Sequence, residues 1–267
     1  MTDRPPANKA MPWVIGAVVL AGAVAGYYFW QQSRAPGPEP ALVAAPQVAP
    51  APPAEPEKHY PAPLVPEAAA QPLPELDGSD QHLQDALATL IGVEPFSKYL
   101  VPQEIVRHIV VTIDNLPRKT LALRLSPVKP VGGEFRTTGQ GAGLEIAADN
   151  AARYAPYVRI AALVNAKKLV ATYGRLYPLF QKAYEDLGYP KGYFNDRLIV
   201  VIDHLLAAPD AIGPIKLVTP HVQHQFADPE LEARSAGQKI LLRMGTENAA
   251  VIKAKLREIR RELTGPQ

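Results

Sequence analysis

Hydrophobic and polar residues divide the chain into three unlike stretches. Residues 11–30 carry no charged side chain, and a helix of about 20 residues spans the hydrocarbon core of a bilayer. Prolines then recur every few residues as far as Pro74. From Leu76 onward, apolar residues recur at the three- and four-residue spacing of amphipathic helices. The pattern predicts a cytoplasmic tail (1–10), a transmembrane helix (11–30), a disordered Pro/Ala-rich tether (31–75) and a mainly helical globular domain (76–267).

Within the domain, the apolar spacing predicts a series of helices. Ser79 or Asp80 should cap the first helix and Gly92 should end it. Pro102 is expected to start a second helix that ends near Asp114. The other predicted helices are Leu169–Leu187 with a kink or break at Pro178, Phe194–Leu205, a short helix from Pro229 capped by Asp228 and ended by Gly237, Gln238–Met244, and Thr246–Leu263.

Strand signals are few and short. Leu121, Leu123 and Leu125 alternate with polar or small residues, which predicts a strand. A second short strand is expected in Gly132–Gly143. Two more are predicted at Ile215–Val218 and Val222–Phe226. The predicted fold class is therefore mainly α with a minor β element (α+β).

The apolar segment has the flanks of a membrane anchor. Aromatic residues stand at both ends, from Trp13 to Trp30, as is common at membrane interfaces. Arg4 and Lys9 precede it, which favours a cytoplasmic N-terminus and a periplasmic domain. Cleavage after Ala25, as in a signal peptide, is the alternative, but the apolar run continues through Trp30. We expect a single-pass inner-membrane protein.

Composition limits the chemistry of the remaining chain. The whole chain has 29 prolines, and much of this proline lies in the tether, where it favours extended, polyproline-like conformations and a spacer role. A specific proline-motif ligand is the alternative interpretation. There is no cysteine, so disulfides and thiolate metal sites are excluded. The net charge of +2 does not call for nucleic acid as a partner.

Several long strings of the domain resemble one bacterial family, the domain-of-unknown-function family 3014. The strings are Val111–Arg118, Tyr177–Tyr184, Leu187–Leu198, Phe226–Glu232 and Ser235–Gly245. Together with the apolar span and the proline-rich tether, this resemblance implies a bacterial membrane-anchored protein. It implies no activity and no catalytic residues.

No catalytic or metal-binding motif of known spacing is present. His221 and His224 are the only close histidine pair and are interpreted as ordinary histidines. The glycines of Gly139–Gly143 lack the Lys-Ser/Thr of a phosphate loop. Ser235 and Lys239 have the spacing of a nucleophile–base pair, but helix-end roles explain them more simply. No cofactor and no metal are expected, and catalytic residues remain unassigned.

Carboxylates and aromatic rings leave one enzymatic alternative. Asp196 and Glu185 would suit a glycan hydrolase if their carboxyl groups lay about 5–9 Å apart across a cleft. The tyrosines and phenylalanines between Tyr173 and Phe194 are interpreted as core, with a sugar-stacking groove as the alternative. The last helix is predicted to present its basic residues to solvent on its outer face: Lys253, Lys255, Arg257, Arg260 and Arg261.

If a binding site exists, two turn-rich segments are its predicted location. Together the two segments are rich in polar residues, glycine and proline, which are typical of turns, and functional groups often lie on loops held by a rigid scaffold. The candidates are Asp114, Asn115, Arg118, Tyr184, Tyr189, Tyr193, Asn195, Asp196 and Arg197. The structural alternative is that the asparagines and acids cap helix ends while the arginines pair with Asp114 or Asp196.

The function expected from these observations is a non-catalytic interaction domain held in the periplasm by an inner-membrane anchor. The expected partners are the inner membrane, through the N-terminal span, and either peptidoglycan or another envelope protein. A peptidoglycan-glycan hydrolase that uses acidic residues of the domain is the alternative.

Overall fold

The structure is a computed structural model that describes residues 59–63, 72–211, 213–220 and 222–265. The chain divides into two compact units, and every described residue belongs to the second unit, Glu57–Gln267. The predicted membrane span and most of the predicted tether lie outside the described residues. In the part that is described, no helix is long and apolar enough to cross a membrane.

The described part is mainly helical. Its α-helices are α1 Asp80–Ile91, α2 Val93–Tyr99, α3 Ile105–Asn115, α4 Ala155–Leu163, α5 Ala166–Asp186, α6 Phe194–Leu206, α7 Pro229–Glu232, α8 Ala236–Arg243 and α9 Thr246–Thr264. Short 3-10 helices lie at Leu76–Gly78, Leu123–Leu125, Gly141–Gly143 and Ala148–Arg153.

Two small antiparallel ribbons supply the β structure. Strand β1 (Thr137–Thr138) pairs with β2 (Glu145–Ile146), and β3 (Leu217–Val218) pairs with β4 (Gln225–Phe226). A bridge between Glu145 and Lys216 joins the two ribbons. The predicted fold class, mainly α with a minor β element, is confirmed for the described residues.

Helix α5 lies at the centre of the domain, in contact with α3, α6 and α9. Its buried residues Leu176, Phe180 and Ala183 recur at the spacing of one helix face. They share a core cluster with Val106 of α3 and Phe194 of α6. The described core residues all belong to the unit Glu57–Gln267, so this unit has a hydrophobic core of its own.

Several helices begin or end at the residues predicted to cap or end them. Gly92 ends α1 with a φ of 92°, a conformation that glycine adopts without a steric penalty. The carboxylate of Asp228 accepts a hydrogen bond from the amide of Glu230 and caps α7. Asp80 instead caps α3, because its carboxylate accepts hydrogen bonds from the amides of Glu104 and Ile105. Helix α3 consequently begins at Ile105 rather than at Pro102.

One predicted strand is wrong, and of the two outcomes predicted at Pro178, a kink or a break, the break does not occur. The predicted strand at Leu121–Leu125 contains a 3-10 helix, Leu123–Leu125, and Leu123 is 72% exposed. Alternation indicates a strand only where a neighbouring strand can pair with it, and the described residues supply none here. Pro178 does not split α5, which runs unbroken through it. Burial of residues on both sides of Pro178 offsets the lost helical hydrogen bond.

Two further predictions fail because a residue is buried. Gly237 does not end a helix but lies inside α8, where a Cβ atom would come within 2.6 Å of a Leu205 methyl carbon. Lys253 does not face solvent, since it is 5% exposed and its Nζ donates to the carbonyl oxygen of Ala208 at 2.6 Å and to Asp210. Tertiary contacts therefore decide both positions.

Candidate functional site

The two turn-rich segments singled out in the sequence lie against each other. Arg197, in the first turn of α6, donates from Nε to Asp114 Oδ1 at 2.9 Å. It also donates from Nη2 to the Asp114 carbonyl oxygen at 2.7 Å. Asp114, at the end of α3, is only 2% exposed. A buried carboxylate needs such partners, because desolvation of an unpaired charge is costly.

A second arginine and a tyrosine complete this group. Arg118 donates from Nη2 to Asp114 Oδ2 at 2.5 Å and to the Tyr189 hydroxyl at 3.1 Å. The Tyr189 hydroxyl also donates to Asp114 Oδ2, at 3.4 Å. We call Asp114, Arg118, Tyr189 and Arg197 the Asp114 cluster. Its members satisfy one another within the domain.

The first turn of α8 fixes the turn that follows Asp114. The Ala236 amide donates to the carbonyl oxygen of Arg118 at 2.7 Å, and the Gly237 amide donates to that of Leu116 at 2.9 Å. These amides have no partner inside their own helix. The absence of a side chain at Gly237 allows this close approach.

The aromatic members of the predicted site lie at the end of α5 (Tyr184) and in the loop between α5 and α6 (Tyr189 and Tyr193). The Tyr184 and Tyr189 rings stack with centroids 4.6 Å apart. Burial raises the pKa of the Tyr184 hydroxyl above its ordinary value. Gln181 holds the loop, because its Nε2 donates to the Gly192 carbonyl oxygen and its Oε1 accepts from the Phe194 amide.

Asn195 and Asp196 bind residues that precede the domain. Asn195 is fully buried, and its Nδ2 donates to the carbonyl oxygens of Tyr60 at 3.1 Å and Pro61 at 3.2 Å. Its Oδ1 accepts from the Tyr173 hydroxyl at 3.3 Å. Asp196 Oδ1 accepts from the Tyr60 amide at 2.6 Å. The adjacent side chains of Asn195 and Asp196 thus bind one extended stretch of main chain through its Tyr60 amide and through the carbonyl oxygens of Tyr60 and Pro61.

We call residues 59–63 the docked segment. The His59 ring lies 4.2 Å from the Tyr193 ring, and its Nδ1 lies 2.8 Å from Asp196 Oδ2. The Tyr60 side chain packs against a cluster of α5, α6 and α9. At the other end, a Cβ atom on Gly174 would lie 2.4 Å from the Pro63 carbonyl oxygen. The segment therefore approaches the backbone of α5 closely.

Most of the predicted site residues are brought together, but in two groups. Asp114, Arg118, Tyr189 and Arg197 form the Asp114 cluster, while Tyr193, Asn195 and Asp196 contact the docked segment. Tyr184 stacks on Tyr189, and no side-chain hydrogen bond to Asn115 is found in the described part. Both arginines pair with Asp114, as the structural alternative had it, but Asn195 caps no helix.

Sequence reasoning missed the other half of the contact. It placed His59, Tyr60 and Pro63 in a disordered tether and assigned no role to Gly174 or Gln181. One signal was available, since Tyr60 is the only Tyr, Phe or Trp between Trp30 and Phe96. A lone aromatic residue in a proline-rich stretch has more apolar area to bury than its neighbours do.

The remaining chemical candidates have other partners. Lys239 Nζ binds Glu232 Oε1 at 2.7 Å, while Ser235 Oγ caps α8 and lies 2.8 Å from His204 Nε2. Burial, together with the nearby charge of Arg197, lowers the pKa of His204. His224 binds Thr219, and His221 lies outside the described residues. No group of side chains suited to a metal ion is found among the residues searched, which are those described.

Fold and site together define a mainly helical domain that holds an extended segment of its own chain at the start of α6. Over residues 105–260, the chain matches the family model described as "Protein of unknown function (DUF3014)". This match covers more than half of the chain, so the protein belongs to that family. No curated protein and no solved structure matches the chain.

Proposed function

We propose that the protein is a single-pass inner-membrane protein that presents a non-catalytic interaction domain in the periplasm. Its binding site is the start of α6, with Asn195 and Asp196 as the residues that bind a partner's main chain. The observation that supports this proposal most is that both side chains already bind an extended segment. Arg118 and Arg197 keep this end of α6 rigid through Asp114.

The proposed partner is an extended, proline-containing segment of another envelope protein. The hydrogen bonds of Asn195 and Asp196 reach main-chain groups, which every extended peptide offers. Proline keeps such a segment extended before binding and so reduces the entropy lost on binding. The docked segment shows the chemistry that fits this place: an aromatic residue followed by alternating prolines at 61 and 63.

The membrane part of the proposal rests on the uncharged residues 11–30 and on Arg4 and Lys9 before them. Alkaline phosphatase is active only outside the cytoplasm. We therefore expect a fusion after Gln267 to be active. A fusion that is expressed but inactive would contradict the periplasmic location.

Partner binding is tested in the full chain by placing the photoreactive residue benzoylphenylalanine at position 193. Tyr193 is 53% exposed and lies beside His59. Val200, which lies on α6 and is 54% exposed, is the matched control position. We expect a discrete adduct from position 193 only, mapped by mass spectrometry to a proline-containing segment of another protein. Asn195→Ala should remove the adduct.

Two outcomes would overturn the proposed function. Equal crosslinking from positions 193 and 200 would show that the start of α6 is not a binding site. Release of muropeptides from purified peptidoglycan, lost in Asp196→Asn, would make the protein a glycan hydrolase. In the structure, Asp196 binds the docked segment and Glu185 accepts from Gln181, which supports the interaction role over the hydrolase.

A further inference from the structure

An apolar cavity of about 300 Å³ lies between α1, α3, α5, α6 and α9. Its lining side chains are apolar apart from Thr172 and Tyr173, and among the described residues no charged side chain lines it. Half-buried Leu87, Leu90 and Leu169 belong to the lining, so the cavity reaches towards the surface. It is separate from the Asp114 cluster, none of whose residues lines it.

Water is a poor occupant for such a space. A buried water molecule needs about two to four polar partners, and apolar cavities of about 150 Å³ stay dry and bind small hydrocarbons. The volume of 300 Å³ is at the lower end of the range of about 300–1,000 Å³ for small-molecule sites. An empty cavity would forfeit the dispersion contacts of its walls. The lining therefore favours an apolar molecule.

The size of the cavity favours a single-chain occupant. Its walls include Leu83 of α1 and Leu263 in the last turn of α9, and both of these helices pack against the central helix α5. Because the cavity volume of about 300 Å³ is at the lower end of the range for small-molecule sites, one alkyl chain suits it better than the two chains of a phospholipid.

We propose that this cavity binds a single alkyl chain, as carried by a free fatty acid or another single-chain amphiphile. The chain lies among the aliphatic side chains of α3, α5 and α6, and its polar end stays at the half-buried rim near Leu90. Tyr60 of the docked segment packs on a cluster whose Val170, Ile202 and Leu263 also line the cavity. The tether and the ligand thus share one wall.

The experiment uses the full chain in phospholipid nanodiscs and lauric acid with a terminal diazirine as the probe. After irradiation, mass spectrometry locates the attached probe. We expect saturable labelling of α3, α5 or α6, although phospholipid is present in large excess. Unlabelled lauric acid should compete for the site.

Ala86→Phe is the decisive variant, because Ala86 lines the cavity and a phenyl ring would fill part of it. Labelling should fall by about tenfold, which corresponds to about 1.4 kcal/mol of binding free energy. Ala88→Phe is the matched control on the same helix, at a residue that does not line the cavity, and its labelling should equal that of the wild type.

Three results would overturn the proposal: labelling confined to the membrane segment, labelling that does not saturate, or equal loss in both phenylalanine variants. Circular dichroism establishes that each variant is folded. If Ala86→Phe is not folded, Thr172→Phe fills the cavity from the central helix instead and carries the same expectation. Crosslinking at position 193 does not depend on the cavity, so this proposal and the proposed function fail separately.

Discussion

The Asp114 cluster and the Asn195–Asp196 pair lie at the same end of α6 but satisfy their polar groups differently. Asp114 is bound by Arg118, Tyr189 and Arg197, all within the helical domain. Asn195 and Asp196 instead bind a segment about 135 residues earlier in the sequence. Buried polar residues in a turn-rich region can thus either stabilise the domain internally or bind another segment of polypeptide chain.

The difference has an energetic consequence. The Asp114 cluster would remain satisfied if residues 59–63 left the surface. Departure of the docked segment would leave the Asn195 amide and the Asp196 carboxylate needing new partners, which water or another peptide must supply. Stability is therefore expected to depend more on the first group than on the second, and binding is expected to depend on the second.

The largest effect is expected from Asp114→Asn. The change leaves Arg197, which is only partly exposed, without its charged partner, and breaking a buried ion pair typically costs about 3 kcal/mol. Urea unfolding of the fragment 57–267 measures the free energy. Asp149→Asn breaks the exposed pair with Arg136 and should change stability by less than about 1 kcal/mol. Equal losses in the two variants would contradict the bracing role of Asp114.

Asn195→Ala is expected to cost less, about 1–2 kcal/mol, because it removes neutral hydrogen bonds. Unlike Asp114→Asn, it should also release the docked segment, seen as faster proteolysis near Tyr60. Asn115→Ala makes the same change at a half-buried residue without a side-chain hydrogen bond in the described part. That control should leave both stability and proteolysis nearly unchanged. If Asn195→Ala is cleaved near Tyr60 no faster than the wild type, Asn195 does not hold the docked segment.

Gly174→Ala is expected to change stability in opposite directions depending on whether the docked segment is bound. Alanine in a helix interior is more stable than glycine by up to about 1 kcal/mol, but here its Cβ atom would meet the Pro63 carbonyl oxygen. In the otherwise wild-type fragment, the substitution should lower stability or speed proteolysis near Tyr60. In an Asn195→Ala background, where the segment is already released, it should stabilise. Stabilisation in both backgrounds would mean that Pro63 does not rest on α5.

The smallest effect concerns pH. The pKa of His204 is lowered, chiefly by burial, so between its folded and unfolded pKa values the unfolded chain binds more protons. Stability from this group is therefore present above the unfolded pKa of about 6.5 and is lost as the pH falls through the lower folded value. His204→Gln should flatten this part of the stability curve of fragment 57–267. If His204→Gln leaves the slope of stability against pH unchanged below about pH 6.5, the pH dependence of stability comes from other groups.

The sequence predicts some features of the fold well because those features are local. Gly92 and Asp228 mark helix ends through their own backbone and side-chain chemistry. Gly237 and Lys253 differ from the prediction because their roles depend on Leu205 and Ala208, which are distant in sequence and close in space. Leu121–Leu125 shows the same limit, since alternation alone cannot provide a partner strand.

The candidate site was half predictable for the same reason. Turn residues and charges pointed to Asp114, Arg118 and Asn195–Arg197, and these residues do converge. Nothing local shows that Asn195 binds Tyr60, because proline-rich composition predicts an extended chain whether it is free or bound. Only the burial of Asn195 and its hydrogen bonds distinguish the two.

Hydrogen exchange of the Tyr60 amide tests most directly whether the start of α6 binds extended main chain. Fragment 57–267, labelled with ¹⁵N-tyrosine, allows this amide to be followed by NMR. Because the amide donates to Asp196 at 2.6 Å, we predict exchange much slower than in an unfolded peptide, and fast exchange in Asp196→Ala. Exchange at the unfolded rate in the wild type would show that the docked segment is not bound.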